Sequence, residues 1–447
     1  MTIPNGKSGR LAFRNARLID PASGLDIKGG LLVENGRIAD IGPRLFNDAA
    51  DPEIIDCGGL TLAPGLIDCR VFTGEPGSEH RETLASASDA AAAGGVTTIV
   101  TMPNTNPVID EPSLVDFIRR RAQATAKVNV APMAALTQRL AGETMTEIGL
   151  LQEAGAVAFT DRDATGVKVM NVDGDRTVAN ARVMRRALSY AATFDALVAG
   201  HAEDPELVQG AATTESEFAT RLGLPAAPAL AEAIIVERDI RLVELTGARY
   251  HFGQISTRAA LDAIAAAKAK GLPITCGVSG HHLLLNELDV GAYYTFRKVK
   301  PPLRAETDRA AMVEGVANGT IDVIVSSHEP QGADTKRQTF ASAAFGAVGL
   351  ETLLPAALNL HHNGDADLMR ILASLTITPA KLLGLPGGRL AKGAPADLAL
   401  IDIDEPFVVD ERALHSRARN TAFEGRKFQG RAQMTFVGGE CVFSRAD

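Results

Sequence analysis

The stretch that decides the fold is APGLIDCRVF (63–72), followed by ETLASASDAAAAGG (82–95) and then VTTIVTM (96–102). A short apolar run bounded by Pro and Gly reads as a buried strand. The Ala-rich segment that follows is built from helix formers and stops at Gly, and a second apolar run then begins at once. The unit is strand, helix, strand. Working outward, the same rhythm continues to about residue 325. Strand candidates end at Phe72, Met102, Ala135, Thr160, Gly200, Ile255, Gly280 and Val325. Helical stretches follow most of them, at 113–123, 182–192, 229–245, 258–271 and 306–319. Eight strands alternating with helices predict a (β/α)8 barrel over 64–388, with any chemistry at the C-terminal ends of the strands.

Both ends of the chain differ from this middle. LAFRNARLID (11–20), GGLLVENGRIADIG (29–42) and EIIDCGGLTLAPG (53–65) alternate apolar and polar residues between turn signals, as do ADLALIDID (396–404) and AQMTFVGGECVFSRAD (432–447). Residues 1–63 and 389–447 are therefore expected to build one small composite β-sandwich beside the barrel.

Composition narrows the function classes. With 46% hydrophobic residues the 447-residue chain can bury a full core, and a net charge of −9 argues against nucleic acid as a partner. The four cysteines (Cys57, Cys69, Cys276, Cys441) form no CxxC pair and fit a reducing compartment. The polar MTIPNGKSGR start is no secretory signal, and no apolar run has the length of a membrane span, so a cytoplasmic location is expected. Ser326–Ser327–His328 is no nucleophilic dyad, because adjacent residues at a strand end do not face each other and a Gly-x-Ser-x-Gly elbow is missing. GGRLAKGAPADL (387–398) lacks the phosphate-loop order and reads as turns. His361 and His362 sit near a helix end, where their charge complements the dipole.

Several segments, in order along nearly the whole chain, resemble the bacterial class I dihydroorotases of the amidohydrolase superfamily: 63–83, AAAGGVTTIVTMPNTNPVID (91–110), HAEDPEL (201–207), GLPITCGVSGHHLLLNE (271–287), KVKPPLR (298–304), SSHEP (326–330), FGAVGLETLLPAAL (345–358) and RNTAFEG (419–425). The resemblance implies a zinc-dependent barrel hydrolase with a composite β-sandwich. It also implies where ligands should stand, and most are replaced. Arg70 and Phe72 occupy the His-x-His positions, Gln254 that of the sixth-strand histidine, and Ser327 that of the catalytic aspartate. His201 is kept, and Asp161 falls at the bridging acidic position, with Asp163 or Arg162 as the other candidates. His251 lies three residues before Gln254, and strand alternation points it elsewhere. His281 and His282 are neighbours in what reads as an extended segment, so they should point apart and pack.

Substrate contacts change as well. Gly74 stands for the arginine that grips the substrate carboxylate, Lys300 for an asparagine and Gln331 for a histidine, whereas Asn104 is retained. A permanent positive charge at Arg70 would repel a divalent ion at ~4 Å by several kcal/mol at moderate effective dielectric. These losses lead to the expectation of a non-catalytic dihydroorotase homologue. It would hold no metal or other cofactor and would be a structural or regulatory subunit assembling with aspartate transcarbamoylase, with a homodimer as the default state of the chain itself. The competing expectations are an enzyme of altered chemistry, a metal-free hydrolase or lyase using Asn104, His201, Lys300 and Asp161, and an active dihydroorotase or related cyclic amidohydrolase with relocated ligands, which would need at least three new ones. Arg70 is expected to fill the metal's space and pair with the aspartate of AFTDRD (158–163).

Overall fold

A computed structural model describes residues 9–43, 45, 53–161 and 178–445. Its centre is the (β/α)8 barrel. The strands, in order, are Leu66–Val71, Val96–Thr101, Asn129–Pro132 continuing into Ala134–Ala135, Phe159–Thr160, Val198–Gly200, Tyr250–Phe252, Ile274–Ser279 and Val323–Val325. Each pairs in parallel with its neighbour, and bridges from Val71 to His328 close the ring between the eighth strand and the first. The strands are apolar on both faces because both are covered. Their buried side chains gather in two clusters, one with Cys69, Val100, Ala131, Ala158, Val323 and Val325, the other with Val71, Ile99, Phe159, Val198, Ile274 and Ile324 together with residues of the surrounding helices.

The helices begin where the sequence offers caps. Thr83 and Ser86 form a capping box ahead of Leu84–Ala93, and Asn180 and Thr257 cap Ala181–Ala192 and Arg258–Ala269. Among the described residues no helix is long and apolar enough to cross a membrane.

The two ends of the chain meet in one eight-stranded sheet. Strands Thr61–Pro64 and Leu398–Val408 pair antiparallel at its middle, with Arg10–Asp20, Leu25–Glu34 and Arg37–Gly42 on one side and Lys427–Val437 and Glu440–Ser444 on the other, and Glu53–Asp56 pairs in parallel with Arg10–Asp20. Phe13 and Phe436 lie three strand steps apart, about 14 Å in a flat sheet at ~4.8 Å per step. Their rings nevertheless stand 4.9 Å apart, edge to face. The sheet has therefore rolled over its own core of Phe13, Leu18, Leu31, Val33, Leu62, Leu398 and Phe436, which gives it the packing of a small sandwich. Its other side is fastened to the barrel, where the Thr435 hydroxyl donates to the carbonyl of Ala92 at the end of the first barrel helix.

Candidate functional site

The strand ends bring most of the expected residues to one face of the barrel, where two buried networks take shape. The first is ionic. His201 Nε2 lies 2.8 Å from Glu203 Oε2, two residues further on and so on the same side of the extended chain. Lys300 Nζ stands 3.7 Å from the same oxygen, and Arg304 Nη2 stands 3.8 Å from Glu203 Oε1 and 3.7 Å from Glu232 Oε2. Glu232, wholly buried on the helix Leu230–Thr246, accepts from the backbone of Ser256 and Thr257 and from both their hydroxyls. Burial raises its pKa, and the Arg304 charge opposes that rise.

The second network is a one-way chain of hydrogen bonds. The Ser327 hydroxyl donates to Gln254 Oε1 at 3.1 Å, and Gln254 Nε2 donates to His282 Nδ1 at 3.3 Å. His282 Nε2 lies 3.1 and 3.3 Å from the carbonyls of Pro301 and Pro302. Carbonyls only accept, so the imidazole carries its proton on Nε2. Burial holds this ring neutral, with its pKa lowered to about 3. Ser327, Gln254 and His282 thus tie together the ends of the eighth, sixth and seventh strands.

The remaining expected residues separate. Phe72 lies beneath the Arg81 guanidinium, 4.2 Å from its ring centre, and Arg70 is buried on the first strand. The expected pairing of Arg70 with Asp161 is corrected. The Asp161 carboxylate is taken by the backbone N–H of Thr137 at 2.6 Å and by the Thr137 hydroxyl, and no ion pair joins it to Arg70. Two local hydrogen bonds already satisfy this carboxylate, and burial pushes its pKa up to about 7, so it needs no cation. Asp163 and Arg162 lie outside the described residues.

Asn104 is half-buried, with Oδ1 out of solvent and without a hydrogen-bond partner. Gln331 Nε2 donates to the carbonyl of Phe345 at 2.5 Å. His251 faces away to Thr275. His281 and His282 are not extended, as expected from the sequence, but lie in the short helix Gly280–Leu284, where His281 stacks on Phe423. His361 and His362 end the helix Leu353–His362.

Gly74 has φ +68°, and a Cβ there would come within 2.5 Å of the Glu82 carbonyl oxygen and 2.7 Å of that of Ser78. An arginine is therefore excluded from this position by the backbone itself.

Sequence reasoning missed Glu203, Arg304 and Glu232. Two signals were available: the i, i+2 spacing of His201 and Glu203, and an acid set within the apolar ALAEAII face of a helix.

Among the described residues no three His, Cys, Asp or Glu side chains converge as a metal site. The donors at the strand ends are a guanidinium, a ring hydrocarbon, an amide and a hydroxyl at positions 70, 72, 254 and 327, and these do not fit zinc.

This barrel, with a composite sheet beside it and a polar mouth, defines an amidohydrolase-type protein. The L-hydantoinase (dihydropyrimidinase) from Arthrobacter aurescens superposes with a TM-score of 0.88 at 25% identity, over 97% of this chain and 96% of that one. A D-hydantoinase from Thermus sp. shares the fold at a TM-score of 0.82. The dihydro-orotase-like family profile matches residues 59–260, and an amidohydrolase family profile matches 355–443. The dihydroorotase of Anaplasma phagocytophilum is 43% identical, covering 97% of this chain and 95% of its own. That of Syntrophotalea carbinolica is 40% identical, covering 98% and 100%. The chain belongs to the dihydroorotase family.

The relatives also correct the expectation of a non-catalytic subunit. Proteins named dihydroorotase match it from end to end at 40–43% identity, which points to an active dihydroorotase. The replaced ligand positions describe a pocket built differently and do not by themselves assign a scaffold role.

Proposed function

We propose that the chain hydrolyses a ring C–N bond of a cyclic amide of the dihydroorotate class, at a barrel mouth whose charge comes from fixed side chains. The observation that carries this reading is the near full-length identity to dihydroorotases. The buried polar groups supply what the reaction demands. Water adds to the ring carbonyl carbon, the C–N bond breaks, and the departing nitrogen takes a proton.

Glu203 and His201 are the groups to accept the water's proton and return it to nitrogen. Lys300 and Arg304, both buried, stabilise the negative charge that develops on the carbonyl oxygen. Asn104 Oδ1, a buried acceptor, suits a ring N–H. A cytoplasmic location is part of the same reading, in keeping with the four scattered cysteines.

The test is turnover of dihydroorotate by the purified full-length chain in excess chelator. Ring opening that chelation leaves unchanged, and that Glu203→Gln slows by about 100-fold or more, is the expected result. No ring opening with or without added zinc overturns the proposal, and activity that depends on zinc overturns the metal-free chemistry.

A further inference from the structure

Two loops follow the seventh and eighth strands and so lie over the barrel mouth: residues 291–305 and 331–349. They are joined by a buried ammonium. Lys336 ends the short helix Ala333–Lys336 and is 2% exposed. Its Nζ donates to the carbonyl oxygens of Thr295 at 3.0 Å, Lys298 at 3.3 Å and Ala344 at 2.7 Å. All three of its protons are committed, and all three acceptors are backbone carbonyls from two separate segments. Desolvated cations are held by carbonyls in the same way in ion-selective sites.

The contacts around it give the lock a purpose. The Lys298 ammonium donates to the Ala341 carbonyl at 2.8 Å and stands 4.4 Å from the Phe345 ring centre. Lys300, which reaches Glu203, stands 5.3 Å from that same ring. The Gly346 N–H donates to the Lys298 carbonyl at 2.9 Å, and Gln331 holds the Phe345 carbonyl. Burial lowers the Lys336 pKa to about 7, Glu329 opposes the fall and Lys298 and Arg81 add to it; the three carbonyl acceptors favour the protonated form.

We infer that Lys336 is a positioning residue, a tethered cation that locks the 295–300 segment to the 336–346 segment and thereby fixes where Lys300 stands at the mouth. A merely space-filling side chain would leave the half-buried Ala344 carbonyl unpaired and take a second donor from the carbonyls of Thr295 and Lys298, which keep the N–H groups of Lys298 and Gly346; opening the loops would relieve that cost. The kinetic consequence rests on the reaction proposed above, but the lock itself can be read without turnover.

The experiment compares full-length wild type with Lys336→Met and Lys336→Arg by hydrogen exchange and steady-state kinetics. In Lys336→Met, amide exchange over 294–303 and 337–347 should rise by about tenfold or more, with the strands Val96–Thr101 and Leu398–Val408 unaffected. With dihydroorotate kcat should fall by about tenfold while KM stays within about twofold, and Lys336→Arg should recover part of the kcat. If Lys336→Met does not fold, Lys336→Gln, with two donors, carries the same comparison. Unchanged exchange in the two loops, an equal rise over the whole chain, or a rise in KM with kcat unmoved each overturns the inference. A wild-type chain without turnover defeats the proposed reaction and leaves the exchange comparison to decide on the lock.

Discussion

His281 packs as a neutral aromatic. It is 1% exposed, both ring nitrogens lack hydrogen-bond partners, and its face lies on Phe423 at 5.4 Å. Burial lowers its pKa to about 4 from an ordinary 6.5. The unfolded chain therefore binds this proton first as pH falls. The stability the residue contributes is whole above about pH 6.5 and is lost toward pH 4, by up to about 1.4 kcal/mol per pH unit. His281→Phe should consequently gain on wild type as pH drops, which urea denaturation at about pH 7, 6 and 5 will measure. Parallel curves would sink the idea.

Gly74 makes the opposite point, since its left-handed backbone admits no side chain without a clash. Gly74→Arg should cost about 2 kcal/mol or more in the same assay and leave substrate affinity unimproved. A neutral substitution would contradict this. At this scale the sequence reveals which residue types stand at the strand ends but not their partners. Arg70 looked like a counter-ion for Asp161. Thr137, distant in the chain's reading and unremarkable in type, took that place by geometry alone.

At the scale of elements, the fifth strand is fitted to the sixth through one glycine. A Cβ on Gly200 would sit 1.8 Å from the Tyr250 hydroxyl, which donates to the buried Asp239 carboxylate at 2.6 Å. Gly200→Ala should displace that phenol, strand Asp239 and cost about 3 kcal/mol in urea unfolding. A loss below ~1 kcal/mol would show that the contact yields easily.

The strand and helix rhythm was legible because barrel strands are apolar on both faces and the helices carry their own caps. The short helices were not legible. Gly280–Leu284 has five residues, too few for a period, and its two histidines read as extended chain until tertiary packing curled them.

Across the whole molecule, barrel and sheet are joined through shared packing. The helix Leu353–His362 lies on the strand Lys427–Val437, and Thr435 holds the end of the first barrel helix. Phe436→Ala should remove about 3–5 kcal/mol by opening a cavity against Phe13. Because the two parts share this packing, the loss should shift the unfolding of both together. Probes placed in barrel and sheet will check this, and separate transitions would refute it. That the two ends belong together was readable from their common alternation. The rolling of their sheet was not, because it depends on a contact between residues 13 and 436.

That rolled sheet sets a timetable for synthesis. Arg10–Asp20 and Leu25–Glu34 leave the ribosome long before Leu398–Val408 and Lys427–Val437, strands that complete their cover. Until those strands are made, Phe13, Leu18 and Leu31 have only the partial cover of Ile38, Ile55 and Leu62. The nascent chain carries an open apolar edge while the barrel assembles behind it, and an unpaired edge is where a second chain can add.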